Sequence, residues 1–178
     1  MNKVMEKIKP FVLFAGVIAA VLLVDLVTKA VFEDVYANFI PRVISIFSVH
    51  NFGVAWSMFS GGGVWLVLFT GALIIGASVV WVIIKRKSFK TVNMKAKAQI
   101  ISDLGFAFFL GGALGNFIDR IVFGYVRDFI KFEFMNFPIF NVADICLNAG
   151  VVLLAVYFIF FFDDKKKSDE RGKGKDES

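Results

Sequence analysis

GGALGNFIDR, residues 111–120, ends one apolar segment, and FNVAD, residues 140–144, begins the next. Between them lies VRDF, residues 126–129, and each of the three stretches carries an aspartate. A charged side chain within a membrane span is costly, and it therefore marks a functional site by default. These acids collect at the facing ends of two consecutive apolar segments. The stretch indicates a site at one end of a bundle of membrane helices.

The composition of the whole chain is that of an integral membrane protein. Of its 178 residues, 58% are hydrophobic, 23 are phenylalanine, and only 20% are charged. We predict an all-α membrane fold with four transmembrane helices in a single domain over residues 1–162. The four segments of spanning length are residues 11–32, 64–84, 100–122 and 142–162.

The first apolar segment alone could be the h-region of a secretory signal peptide. It continues to spanning length, however, and no convincing small-x-small cleavage site follows, so we expect a retained helix. In the third segment, Gly111 and Gly115 form a small-xxx-small pair, which predicts close approach of another helix.

The distribution of basic residues predicts the orientation. Of the 20 lysines and arginines, three precede the first span, six lie in residues 85–97, and six lie in residues 163–178. The positive-inside rule makes this side cytoplasmic, with both termini inside and the acidic cluster at the outer face. We interpret the basic loop as a topology signal that also attracts anionic membrane lipids, and not as a nucleic-acid site. Residues 163–178 are expected to be a disordered cytoplasmic tail.

A small extracytoplasmic β-sheet is predicted between the first two helices. Residues 43–49 are rich in β-branched and aromatic side chains and are bounded by Pro41 and by a turn-like Asn51-Phe52-Gly53. We interpret His50 as a polar residue of this sheet, because no acid or nucleophile is spaced to use it.

Two helix faces combine polar and charged groups at i, i+3 and i+4 spacing. One carries Asn116, Asp119 and Arg120, so that Arg120 can pair with a carboxylate. The other carries Asp25 and Lys29 together with a threonine, near the outer end of the first helix. Two interpretations of this second face remain open. Asp25 and Lys29 form a local ion pair in which the lysine snorkels to the interface, or they act directly in an active site.

Asp128 and Asp144 form a candidate acid–base pair. Asn141 and Asp144 match a capping box, which alone could explain Asp144, but Asp128 has no such role. Because Asp128 lies in the connection between antiparallel neighbours, it can meet Asp144, and two close carboxylates in a partly dry site share a proton. One then activates water while the other protonates the substrate, as in an aspartic peptidase. The helix N-terminus favours the negative charge on Asp144.

Other chemistries have less support in the sequence. One cysteine and one histidine leave no disulfide framework and no His/Cys zinc site. A Mg²⁺ site at the three aspartates is opposed by Arg120, so we expect neither a metal nor another cofactor. The alternatives kept open are a small proton-coupled membrane transporter and a metal-dependent lipid-modifying enzyme.

Taken together, these motifs resemble the bacterial lipoprotein signal peptidase family, also called signal peptidase II, across all four spans. The resemblance is carried by Asp25 with Thr28-Lys29, NFGVAW at residues 51–56, and the three stretches at residues 111–120, 126–129 and 140–144.

The resemblance implies an intramembrane aspartic endopeptidase of the bacterial cytoplasmic (inner) membrane. Such an enzyme removes the signal peptide from diacylglyceryl-modified prolipoproteins by cleaving before the lipidated cysteine, and globomycin-type cyclic peptides inhibit it. It implies catalytic roles for Asp128 and Asp144, and we expect the protein to act as a monomer. Substrate-binding or supporting roles are expected for Asp25, Lys29, Asn51, Asn116, Asp119, Arg120 and Asn141.

Overall fold

The computed structural model describes residues 3–53, 63–90 and 96–161. Within these ranges the chain forms four helices and three strands. The helices are α1 (Lys3–Val31), α2 (Gly63–Lys90), α3 (Ala96–Phe123) and α4 (Val142–Phe160), and the strands are β1 (Tyr36–Ile40), β2 (Ile44–Asn51) and β3 (Val126–Phe132).

The predicted fold class is confirmed. Each helix contains a stretch long and apolar enough to cross a membrane, namely Phe11–Val31, Gly63–Arg86, Ala98–Phe123 and Val142–Phe160. The division into one domain and a tail stays a prediction. The tail at residues 163–178, the VAW part of the NFGVAW motif and residues 91–95 of the basic loop lie outside the described residues.

Helix α3 is the centre of the bundle. It packs against α1, α2 and α4, and most of its span is buried. Gly71 near the start of α2 lies against the ring of Phe117 near the end of α3. At the other end, Lys85 of α2 pairs with Asp103 of α3. Helices α2 and α3 are therefore antiparallel, and α2 begins at the same end of the bundle as α3 ends.

Glycines allow the close approach of α3 to its neighbours. Gly111 faces Val21 of α1, and Gly115 faces Asp25 of α1 and Ala143 of α4. The small-xxx-small pair in the sequence thus lies at helix contacts, as predicted.

Gly150→Ala is expected to lower the free energy of unfolding by about 1–3 kcal/mol, because it overpacks the contact between α3 and α4. A Cβ at this position would lie 2.8 Å from the carbonyl oxygen of Gly105 and 2.8 Å from Cα of Phe109, and backbone atoms cannot move aside cheaply. The measurement is denaturant unfolding in detergent micelles.

The matched control for that variant is Gly76→Ala in α2. No atom lies within 4 Å of a Cβ at Gly76. The control should leave the free energy of unfolding unchanged or slightly higher, because alanine favours helix more than glycine does. Equal losses in the two variants would mean that the contact at Gly150 is not tight.

The sheet is antiparallel, with strand order β1-β2-β3. Strand β2 contains all but the first residue of the predicted strand at residues 43–49, and its partner β1 precedes it. The third strand, β3, was not predicted, and it comes from the connection between α3 and α4 instead of the segment between α1 and α2. In the register of β2 and β3, Val49 lies opposite Asp128 and Asn51 opposite Val126. The sheet therefore carries Asp128 to the side chain of Asn51.

Candidate active site

A cavity of about 380 Å³ lies between α2, α3, α4 and the sheet. Its lining is mostly apolar, and most of its polar side chains lie towards the sheet. The polar residues at the sheet end are Asn51, Asn116, Arg120, Asp128 and Asp144. The structure thus brings together both carboxylates of the predicted pair and three of the predicted supporting residues.

Asp144 is positioned by the capping box that the sequence predicts. The Asn141 side chain accepts the Asp144 backbone N–H at 2.9 Å, and Asp144 Oδ2 accepts the Asn141 backbone N–H at 3.1 Å. The other oxygen, Oδ1, accepts a hydrogen bond from Asn116 Nδ2 at 2.7 Å. Capping the helix and facing the cavity are therefore not alternatives, because one carboxylate does both.

Asp128 is held by two amides. Its Oδ1 accepts from Asn141 Nδ2 at 2.7 Å and its Oδ2 accepts from Asn51 Nδ2 at 2.8 Å, and the residue is 2% exposed. Burial, together with the charge of Asp144, raises the pKa of Asp128 from its ordinary value of 3.8 to about 7. Asp128 therefore holds its proton up to about neutral pH.

Asn51 both stabilises a turn and contacts Asp128 in the cavity. Its Oδ1 accepts the Gly53 backbone N–H at 2.9 Å, which is the turn that the sequence indicates. Because this bond fixes the orientation of the amide, the Nδ2 group points to Asp128.

Asn116 and Asn141 connect the two carboxylates. Asn141 Nδ2 donates to Asn116 Oδ1 at 3.0 Å, and Lys29 Nζ donates to the same oxygen at 3.0 Å. Since both donors face Oδ1, the Nδ2 group of Asn116 must face Asp144. The lysine therefore orients the amide that contacts Asp144.

Lys29 is the cation of a buried ion cluster behind the cavity. Its Nζ lies 2.8 Å from Asp25 Oδ2 and 3.3 Å from Asp119 Oδ2, and all three side chains are fully buried. The local pair of Asp25 and Lys29, one of the two possibilities that the sequence left open, forms, but the lysine is fully buried and does not snorkel to the interface. Asp25 Oδ1 also accepts the Ala143 backbone N–H at 2.9 Å, which fastens α1 to the start of α4.

Asp119 faces this cluster and not the cavity. Its Oδ1 accepts from Arg127 Nη2 at 2.8 Å, and its Oδ2 accepts the Arg127 backbone N–H at 3.0 Å. Arg127 also pairs with Glu33 at 3.2 Å. Neither Arg127 nor Glu33 was among the site residues predicted from the sequence. Arg127 would have been found only by predicting β3, because neighbouring residues on a strand point to opposite faces.

Arg120 lines the cavity, but its contacts are to carbonyl groups. Its guanidinium donates to the Gly53 carbonyl at 3.0 Å and to the Asn116 carbonyl at 3.4 Å. The expected pairing of an arginine with a carboxylate on this helix is made instead by Arg127 with Asp119. Arg120 thus presents a positive charge to the cavity near Asp128 and Asp144.

His50 belongs to the sheet, as interpreted from the sequence, and stacks on Tyr125 with ring centroids 4.0 Å apart. Among the residues that the structure describes, no group of three His, Cys, Asp or Glu side chains is arranged to hold a metal ion.

Comparison with known proteins identifies a protein family. Residues 17–160 match the family described as Signal peptidase (SPase) II. A lipoprotein signal peptidase of Enterococcus faecalis is 38% identical over 120 residues, which are 67% of this chain and 68% of that protein. One from Thermosynechococcus vestitus is 36% identical over 150 residues, 80% of this chain and 88% of that protein. A solved bacterial membrane enzyme has a TM-score of 0.69 at 28% identity, covering 86% of this chain and 90% of that one.

Proposed function

The chain belongs to the signal peptidase II family, and from this premise we propose that it cleaves diacylglyceryl-modified prolipoproteins as an aspartic endopeptidase. Family membership and the four apolar helices make it a multi-pass membrane protease. The observation that supports the aspartic mechanism is that Asp128 and Asp144 line one cavity and are both bound by Asn141. The Asn141 side-chain amide donates to Asp128, and its backbone N–H donates to Asp144. That arrangement suits a pair of carboxylates with one proton between them.

In the proposed reaction, ionised Asp144 accepts a proton from a water molecule whose oxygen attacks the scissile carbonyl carbon. Protonated Asp128 donates a hydrogen bond to the carbonyl oxygen and stabilises the charge that develops there. When the carbon–nitrogen bond breaks, the leaving nitrogen takes a proton from the pair. The products are the carboxylate of the signal peptide and the free amine of the lipidated cysteine.

The remaining polar residues support this division of roles. Asp144 lies in the first turn of α4, where the helix dipole favours a negative charge. Asp128 is held in a buried site by the amides of Asn51 and Asn141, with a pKa of about 7. Arg120 supplies a cation at the cavity for a developing oxyanion or a substrate carbonyl.

We also propose that the site lies near the outer face of the bacterial cytoplasmic membrane, with both termini in the cytoplasm. The support is the excess of lysine and arginine at the opposite end of the bundle. A site at this depth meets the end of a signal segment that enters laterally from the bilayer.

The transporter alternative has less support. It requires polar groups that connect both ends of the bundle. Along α3, the polar cluster at Asn116 and the ion pair at Asp103 are separated by a buried apolar cluster that includes Phe106, Ala107 and Leu110. The polar groups at the sheet end therefore suit a one-sided site.

The test is cleavage of a purified diacylglyceryl-modified prolipoprotein by the protein in detergent. The expected products are a signal peptide ending just before the lipidated cysteine and a shortened lipoprotein, as measured by mass spectrometry. EDTA should not change the rate. Cleavage at another bond, or loss of cleavage with EDTA and its return with a divalent metal, would contradict the proposal.

The rate of cleavage should fall above neutral pH. Because the pKa of Asp128 is about 7, the pair loses its shared proton as the pH rises past that value. We expect kcat/KM to decrease about tenfold per pH unit on the alkaline side. An activity that is constant between pH 7 and pH 9 would contradict the requirement for a protonated carboxyl group.

The stability of the folded protein should also depend on protonation of Asp128. The pKa of Asp128 in the folded protein, about 7, lies above its ordinary value of 3.8, so folding is favoured by protonation and loses this contribution as the pH rises between those values. The thermal midpoint of the wild type should therefore fall from pH 5 to pH 8. In Asp128→Asn, where the side chain is neutral at every pH, it should fall less.

A further inference from the structure

Two further polar side chains, Thr70 and Asn148, line the cavity among its apolar residues and are not part of the polar group around Asp128 and Asp144. Thr70 projects from α2 beside Leu66, Phe69 and Leu73, and Asn148 projects from α4 beside Leu147. Asn148 is exposed although it lies within a membrane span. A polar group in such a place is costly and indicates a function.

Both side chains lie about two turns into their helices, counted from the end of the bundle that carries the sheet. Thr70 is seven residues after Gly63, the first residue of α2, and Asn148 is six residues after Val142, the first residue of α4. At 1.5 Å per residue these positions are about 10 Å and about 9 Å along their helices. Asn148 is also one turn beyond Asp144 on the same face of α4. Both side chains thus line the cavity that contains the two carboxylates.

Each side chain has hydrogen-bonding capacity to spare. Thr70 Oγ1 donates to the Leu66 carbonyl at 2.7 Å and keeps its lone pairs as acceptors. Asn148 Nδ2 donates one hydrogen to the Asp144 carbonyl at 2.9 Å. Within the described part of the chain, its second N–H and its Oδ1 have no other partner.

On the basis of the proposed function, we propose that Thr70 and Asn148 bind the main chain of the signal segment where it unwinds, just before the scissile bond. A signal segment crosses the membrane as a helix, but an attacking water needs access to an extended peptide. Unwinding removes hydrogen-bond partners from main-chain groups, and an unpaired main-chain group is strongly unfavourable in hydrocarbon. Thr70 accepts a substrate N–H. Asn148 donates to a substrate carbonyl and accepts an N–H.

The first test compares kcat/KM for Thr70→Val and Asn148→Leu with the wild type on a synthetic diacylglyceryl-modified lipopeptide. Loss of one hydrogen bond predicts a decrease of about fivefold for Thr70→Val, and loss of two predicts a decrease of about 25-fold for Asn148→Leu. Thr70→Ser, which keeps the hydroxyl, should retain activity.

The matched control is Ser78→Ala, which also removes a hydroxyl bonded to the carbonyl four residues earlier in α2, at 2.7 Å, but outside this cavity. It should behave as the wild type.

The second test identifies the group that is bound. Substrates with an ester in place of one main-chain amide, at each of the four positions before the scissile bond, lack one N–H. If Thr70 or Asn148 accepts that N–H, then the variant and the ester together lose less than the product of their separate effects. A merely structural role for either residue would not produce this coupling.

The outcomes separate this inference from the proposed function. Failure of the wild type to cleave the all-amide substrate counts against the proposed function itself. Cleavage by the wild type with unchanged kcat/KM in both variants overturns only the inference. Equal losses on amide and ester substrates, or coupling instead to a substrate with ether-linked lipid chains, also overturn it, because the contact would then not be with the main chain.

Discussion

Asp128→Asn and Asp144→Asn are each expected to lower kcat for prolipoprotein cleavage by at least about 1,000-fold while the protein stays folded. Acid–base catalysis by one side chain typically accelerates a reaction about 100- to 10,000-fold. In the proposed mechanism, both the removal of a proton from water and the protonation of the leaving nitrogen depend on the same pair. Asparagine keeps the size of aspartate, but it can neither take a proton from water nor give one to the leaving nitrogen.

The double variant should be hardly worse than either single variant, because the two residues act as one unit. The control is Glu133→Gln, which makes the same chemical change at a carboxylate that binds Ser45 and Lys131 outside the cavity. It should leave kcat unchanged. Retention of a tenth or more of wild-type kcat by either aspartate variant would remove that residue from the catalytic pair.

Lys29→Met is expected to lower the free energy of unfolding by about 3–5 kcal/mol, because it removes the cation from a fully buried cluster. Asp25 loses its partner at 2.8 Å, and Asp119 keeps only Arg127. Activity should fall as well, since Lys29 orients the Asn116 amide towards Asp144. Unfolding in detergent micelles and the cleavage assay measure the two effects.

The matched control is Lys131→Met, which removes the cation from the Lys131–Glu133 pair on the sheet. That lysine is 37% exposed, and pairs of this kind contribute about 0–1 kcal/mol. Combining Lys29→Met with Asp25→Asn should recover part of the lost stability, because one unpaired charge is then removed. Similar small losses in Lys29→Met and Lys131→Met would mean that the buried cluster does not stabilise the fold.

Much of the fold was predictable from local patterns. The four spans follow from runs of apolar residues, and the capping box of Asn141 and Asp144 follows from a three-residue spacing. The turn at Asn51 and Gly53 likewise depends on neighbouring residues only. Each of these features depends on residues that are close together in the chain, and there the sequence pattern is sufficient.

The third strand was not predictable in the same way. Strand β3 carries Arg127 and Asp128 side by side, and four consecutive residues of it are buried, so it lacks the alternation of a half-exposed strand. It is stable because one face packs on the bundle and its backbone pairs with β2. The pairing with β2 comes from residues more than 70 positions earlier in the chain, and a local pattern does not contain it.

The sequence by itself determined four membrane-spanning helices, the family, and the presence of acidic residues near the end of α3, in the connection that follows it and at the start of α4. Only the tertiary structure decided that Asp119 turns to Lys29 and Arg127, whereas Asp128 and Asp144 meet at Asn141. The physical reason is the range of the interactions. Hydropathy and capping act between near neighbours, but the direction of a buried charge depends on which distant helix supplies its partner.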